Sequence, residues 1–132
     1  MTGRRRARRI AIDILYQSDL TGAEPTDVIA DWVGAGRDVP EGANELVDGV
    51  TEHAPSIDLL LEEVAEGWTV ARMSVLDRTI LRVGVFELLH REDVPVSVAV
   101  SEAVEAASDL SSDEAKGFVN GVLGRIAAQV ER

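Results

Sequence analysis

The side chains best suited to chemistry are five arginines at the start of the chain: Arg4, Arg5, Arg6, Arg8 and Arg9. A guanidinium group stays charged at any working pH, and its fork of donors fits phosphate oxygens. The rest of the chain carries eight of the 13 basic residues against all 24 acidic ones, a formal charge of −16. One dense basic patch on an acidic chain predicts local, salt-sensitive binding of a polyanion.

Helical spacing would place an aromatic ring in line with two of these arginines. Steps of four, three and four residues put four side chains on one side of a helix: Arg5, Arg9, Ile12 and Tyr16. RNA suits such a face, because phosphates meet the guanidinium groups and an unstacked base can lie on the ring. The alternative is a solvated basic helix end with Tyr16 packed at the edge of the core.

Two later segments also carry charges or glycines at helical spacing. Arg78 and Arg82 form a like-charge i,i+4 pair. Asp77 or a helix C-terminus could stabilise this pair, and we favour these partners over a bound phosphate. Gly117 and Gly121 lie one turn apart in the last predicted helix, where each costs about 1 kcal/mol relative to alanine. Close packing on a neighbouring helix is the favoured explanation of these glycines. Phe118, between them, is either a core-edge residue or a second stacking platform.

The sequence predicts no catalytic residue, no metal site and no cofactor. Because the chain has no cysteine, disulfides, thiolate metal sites and cysteine catalysis are excluded. His53 and His90 are isolated in the sequence, and no glycine-rich phosphate loop follows a strand. No apolar run approaches the roughly 18 residues of a membrane span, and the start lacks the pattern of a secretory signal. We therefore expect a cytoplasmic protein that does not contact membranes.

The elements that position these residues are predicted to be helices, because apolar residues recur at helical spacing and alternating β-branched runs are rare. At 132 residues the chain is long enough for one domain with a substantial core. Pro55 should break or kink the third helix, with Ser56 capping a fourth. Residues 75–91 are apolar nearly all round, which is typical of a central buried helix. Ser111 and Glu114 match a capping box at the start of the last helix.

Several motifs occur together, in one order, along nearly the whole chain. They are the arginine-rich start leading to Leu15-Tyr16, Asp77-Arg78-Thr79-Ile80-Leu81-Arg82 followed by Phe86-Glu87-Leu88, Asp93-Val94-Pro95, Ala99, Ser101-Glu102-Ala103-Val104-Glu105, and Phe118-Val119-Asn120-Gly121-Val122-Leu123. In combination they resemble the NusB family of transcription antitermination factors. The resemblance implies an all-α fold, a compact bundle of about seven helices in two subdomains, about 1–67 and 68–132.

The resemblance also implies an RNA-binding adaptor and not an enzyme. Such a protein binds the boxA element of ribosomal RNA leaders together with the small-subunit ribosomal protein NusE, and joins the RNA polymerase elongation complex with other Nus factors to suppress termination. NusE is expected against the C-terminal subdomain, and some members self-associate, which leaves a homodimer open. The RNA-binding residues implied here are Arg4, Arg5, Arg6, Arg8, Arg9, Tyr16, Asp77, Arg82, Lys116 and Phe118.

Two other functions stay open at this point. A NusB-like helical domain also precedes the catalytic domain of some ribosomal RNA cytosine methyltransferases, which need a nucleotide-binding α/β domain that this sequence does not show. The other alternative is a non-catalytic helical dimerisation or interaction module whose arginines pair with an acidic protein. In the antitermination interpretation, the acidic charge of the chain should weaken RNA binding by the isolated protein and increase its dependence on NusE.

Overall fold

The computed structural model describes residues 3–130, and all the regular secondary structure within them is helical. The helices are α1 (Gly3–Thr21), α2 (Pro25–Gly34), α3 (Glu41–Val64), a 3₁₀ turn (Val70–Arg72), α4 (Val75–His90), α5 (Val96–Leu110) and α6 (Asp113–Ala127). The all-α prediction is confirmed, and the expected number of about seven helices is close to the number observed. The chain forms two compact units, Met1–Glu52 and His53–Arg132. The subdomain limits near residue 67 stay a prediction.

In the first unit, α1 buries a stripe of small and apolar residues. Ala11 and Ile14 are fully buried, and Ala7 is nearly so. A Cβ added at Gly42, in the first turn of α3, would lie 3.2 Å from the Cβ of Ala7, so the two helices approach closely there. Trp32 of α2 is 5% exposed, and its indole N–H donates to Gln17 Oε1 of α1 at 3.0 Å. This hydrogen bond satisfies the only polar atom of a buried tryptophan side chain.

Pro55 does not end the third helix, so the predicted break there and the fourth helix beginning at Ser56 are wrong, while the alternative of a kink stays a prediction. Helix α3 continues from Glu41 to Val64 with the proline inside it. A proline removes one hydrogen bond to the carbonyl four residues earlier, but burial of neighbouring turns can hold a helix together across such a gap. Val50 and Ile57, on either side of the proline, are both buried. Ser56 is therefore not an N-cap, and its hydroxyl donates to the His53 carbonyl at 3.0 Å.

In the second unit, α4 is buried on nearly all sides, which confirms the prediction of a central helix. A Cβ added at Gly84 would lie 2.7 Å from Leu123 Cδ1 of α6 and 3.4 Å from the Cβ of Ala103 of α5. At this glycine α4 therefore packs closely against both α5 and α6. The prediction that Gly117 and Gly121 serve close packing is wrong, because both are exposed and a Cβ at either would meet no atom within 4 Å.

The N-cap of α6 is Ser112, one residue later than predicted. Its hydroxyl oxygen accepts a hydrogen bond from the Ala115 N–H at 3.1 Å. Ser111 instead donates its hydroxyl hydrogen to Asp77 Oδ1 at 3.2 Å. The predicted capping box of Ser111 with Glu114 is therefore wrong by one residue. Either of the two adjacent serines could cap the helix, and the backbone at Ser112 has the extended conformation of an N-cap.

Candidate nucleic-acid interface

The five arginines of α1 fall into three levels of exposure. Arg4 and Arg6 are exposed, Arg5 and Arg9 are half-buried, and Arg8 is only 7% exposed. Arg8 follows Ala7 directly in the buried stripe, so its backbone belongs to the face that packs inward. The first turn of α1 contains no acidic residue. Because the positive end of the helix dipole disfavours cations there, a bound anion would relieve repulsion between the arginines and the helix end.

Tyr16, two turns after Arg9, is half-buried on α1. Ile12, which the sequence placed on the same side, is 4% exposed and belongs to the core. The predicted row of arginines and tyrosine therefore runs along the edge of the buried stripe. Part of the Tyr16 side chain stays accessible, as a stacking surface for a base requires.

A second group of aromatic and basic side chains lies in the second unit, and we call Trp68, Arg72 and Phe118 the aromatic cluster. The ring centroids of Trp68 and Phe118 are 6.0 Å apart with an interplanar angle of 59°, the tilted geometry that aromatic pairs prefer. The Arg72 guanidinium carbon lies 5.7 Å from the centre of a Trp68 ring, within cation–π range. Trp68 is 47% exposed, Phe118 is half-buried and Lys116 is exposed.

Sequence reasoning identified Phe118 and Lys116 but missed Trp68 and Arg72. The signal available in the sequence was the spacing of the two residues, which places an aromatic and a basic side chain four positions apart.

The structure gives Asp77 and Arg82 protein partners within the second unit. Asp77 donates its backbone N–H to Ser74 Oγ at 3.1 Å, as the third residue after an N-cap does, and its carboxylate accepts from Ser111. Arg82 makes a bidentate pair with Asp58, with Nε–Oδ1 at 2.8 Å and Nη2–Oδ2 at 2.9 Å. The pair is half-buried, with the two side chains 20% and 30% exposed. The sequence named Asp77 or a helix C-terminus as the stabilising partner of the Arg78–Arg82 pair, but the carboxylate that pairs with Arg82 is that of Asp58.

Neither a metal cluster nor a membrane span is present in the described part of the chain. Across residues 3–130, no group of three or more His, Cys, Asp or Glu side chains could hold a metal ion. No helix within the same residues is long and apolar enough to cross a membrane.

Comparison with known proteins gives consistent results. The sequence model of the NusB family matches residues 5–128. The transcription antitermination protein NusB of Saccharopolyspora erythraea is 48% identical over 136 residues, which cover 100% of this chain and 91% of that protein. The solved structure of NusB from T. maritima superposes with a TM-score of 0.89 at 32% identity, covering 100% of this chain and 95% of that one. A crystal structure of the antitermination factors NusB and NusE in complex with double-stranded RNA gives a TM-score of 0.83 at 27% identity, covering 97% and 99%.

Proposed function

The chain belongs to the NusB family, and from this premise we propose that it is an RNA-binding transcription antitermination factor without catalytic activity. It binds boxA RNA of ribosomal RNA leaders together with NusE, and acts in the cytoplasm within the RNA polymerase elongation complex and its other Nus factors. The observation that carries the proposal is the match along the whole chain to antitermination proteins, including a relative solved with NusE and RNA.

The arginine end of α1 supports this proposal through its electrostatics. Arg4 and Arg6 are exposed and Arg5 and Arg9 are half-buried, so their guanidinium groups are proposed to meet successive phosphates. Arg8 is buried, and its proposed contribution is its positive charge close beneath that surface. Phosphate contacts of this kind release counterions, so binding should weaken steeply with salt.

Base stacking is the proposed role of the aromatic side chains in each unit. Tyr16 on α1 is partly accessible, and in the second unit Trp68 and Phe118 form a ring pair that Arg72 borders. Aromatic platforms bind unpaired bases with little dependence on base identity. Lys116 would contact a phosphate beside Phe118.

Asp77 and Arg82 are proposed to lie next to the RNA where it contacts Phe118 and Lys116 in the second unit. Each also has a structural role, since Asp77 belongs to the first turn of α4 and Arg82 pairs with Asp58. Substitution of either residue should therefore change both stability and RNA affinity. These two effects must be measured separately.

The test is fluorescence anisotropy of a short labelled boxA RNA, titrated at two salt concentrations with and without NusE. The double variant Arg5→Ala/Arg9→Ala should bind more weakly, and its slope of log K against log salt should fall in magnitude by about 1.4, which is about 0.7 for each lost phosphate contact of a single strand. Arg91→Ala is the control, because it removes one positive charge from a half-buried arginine that pairs with Asp93 in the second unit. Circular dichroism confirms that each variant is folded.

Three results distinguish the alternatives. The RNA-binding adaptor function is supported if Arg5→Ala/Arg9→Ala binds RNA more weakly, Arg91→Ala does not, and NusE increases the affinity. Unchanged binding by the folded arginine variant places the RNA elsewhere on the protein. No binding by folded wild-type protein under any condition, with or without NusE, would favour a helical interaction module.

A further inference from the structure

The loop between α2 and α3 contacts α1 through two ion pairs of opposite sense. Asp38 Oδ2 lies 3.1 Å from Arg6 Nη2, and Arg37 Nη2 lies 3.8 Å from Asp13 Oδ2. Arg6 and Asp13 are seven residues apart, about two helical turns, so they lie on one side of α1. Two consecutive residues of the loop therefore form ion pairs with one basic and one acidic side chain of α1.

The backbone at the end of α2 fixes where this loop begins. The Arg37 N–H donates to the Trp32 carbonyl at 2.9 Å, and the Gly36 N–H donates to the Val33 carbonyl at 3.0 Å. Gly36 has φ +81°, the left-handed conformation that such a helix end requires. These features define a Schellman motif, so the position of Arg37 is set by the end of the helix.

The side chain of Arg37 is anchored as well as its backbone. Its guanidinium carbon lies 3.2 Å above the centre of a Trp32 ring, a close cation–π contact. The indole of Trp32 is itself held by its hydrogen bond to Gln17 of α1. Asp38, the next residue, is thus held beside α1 by contacts that do not involve Arg6.

Carboxylates and phosphates present similar charged oxygens to a guanidinium group. The Asp38 carboxylate therefore accepts from an N–H group of Arg6 that could otherwise donate to a phosphate oxygen. We propose that Asp38 is an internal competitor for RNA: its carboxylate occupies Arg6 Nη2, so a phosphate that binds through this nitrogen must displace it. This inference rests on the proposed RNA-binding function and adds a regulatory contact to the same surface. Since Arg37 stays anchored on Trp32, the displaced Asp38 would remain close enough to repel the bound phosphate.

The decisive variant is Asp38→Asn, which removes the charge and keeps the side-chain size. We expect it to bind boxA RNA about two- to fivefold more tightly than wild type, the scale set by the strength of an exposed ion pair. Asp31→Asn is the matched control, because it removes the same charge from an exposed residue of α2 in the same unit. The control should show only the smaller gain that the change in net charge produces, and salt should reduce that gain.

A double-mutant cycle with Arg6→Ala separates competition from general electrostatics. If Asp38 competes for Arg6, then Asp38→Asn should give no gain beyond that of Asp31→Asn once Arg6 is absent. Equal gains with and without Arg6, or equal gains from the two aspartate variants, would overturn the proposal. Weaker binding by Asp38→Asn would also overturn it, because Asp38 would then be orienting Arg6 for the RNA.

The same cycle distinguishes failure of this inference from failure of the proposed function. If wild-type protein binds boxA RNA and Arg6→Ala binds equally well, Arg6 is not a phosphate contact and only the competition is refuted. If folded wild-type protein binds no RNA at either salt concentration, with or without NusE, the function and the inference built on it are both refuted.

Discussion

Replacing Trp68 by alanine should separate RNA binding from stability in the aromatic cluster. The side chain is 47% exposed, so about half of its surface is in contact with the protein. The protein contacts described for this ring are the tilted pair with Phe118 and the cation–π contact with Arg72. The exposed half is the part that could receive a base.

The expected magnitudes follow from this geometry. A buried aromatic side chain removes about 150–250 Å² from water, and half of that is about 100 Å². At about 25 cal/mol per Å² the loss is about 2.5 kcal/mol as an upper bound, and the ring pair adds about 0.5–1.5 kcal/mol. Since domains of this size are stable by about 5–15 kcal/mol, the variant should remain folded. Loss of one stacked base costs about 1–3 kcal/mol, which is about 5- to 150-fold in affinity.

The assay is boxA RNA anisotropy in the presence of NusE, at a temperature well below the midpoint of thermal unfolding measured for each variant. Trp68→Phe keeps a ring for stacking and should recover most of the affinity that Trp68→Ala loses. Leu59→Ala is the control, because Leu59 is 71% exposed in the same unit and has no ring. A folded Trp68→Ala protein with wild-type affinity would refute the stacking role of the aromatic cluster.

Two further predictions concern stability and are checked by chemical denaturation. Gly84→Ala should destabilise the protein, because crowding the buried Leu123 costs about 1–3 kcal/mol and outweighs the helix propensity gained, whereas Gly121→Ala on the exposed face should stabilise it by up to about 1 kcal/mol. The opposite ranking would contradict the assignment of the close helix approach to α4. Ser112→Ala should cost about 0.5–2 kcal/mol through loss of its cap on the Ala115 N–H, and unchanged stability of this variant would contradict the cap.

The helical fold could be predicted from local patterns, but some helix limits could not. Apolar spacing was sufficient for α1 and α4, because each buries a continuous stripe or surface. Pro55 was misread because its cost is local, whereas the burial of Val50 and Ile57 that outweighs it is tertiary. The glycines of α6 were misread for the same reason, since a sequence does not show which side of a helix meets a neighbour.

The candidate site was predictable in its residue types more than in its contacts. The arginine cluster and Phe118 stand out in the sequence. The ring of Phe118 is also part of the aromatic cluster. Contacts between residues distant in the chain were not foreseeable, such as Asp58 on Arg82 and Asp38 on Arg6. These pairs depend on loops and helix ends whose placement comes only with the fold.

The pairing of Arg6 changes how the charge of this protein should be interpreted. Five arginines in a short segment suggest strong phosphate binding, but Arg8 is buried and Arg6 already contacts a carboxylate. An arginine paired in the free protein contributes only the difference between its phosphate contact and the contact it gives up. The isolated protein should therefore bind RNA more weakly than the number of arginines suggests, and a second RNA-binding partner such as NusE should have a large effect on affinity. Because the Asp38 pair opposes RNA binding whether or not NusE is bound, Asp38→Asn should raise the RNA affinity by a similar factor in both conditions.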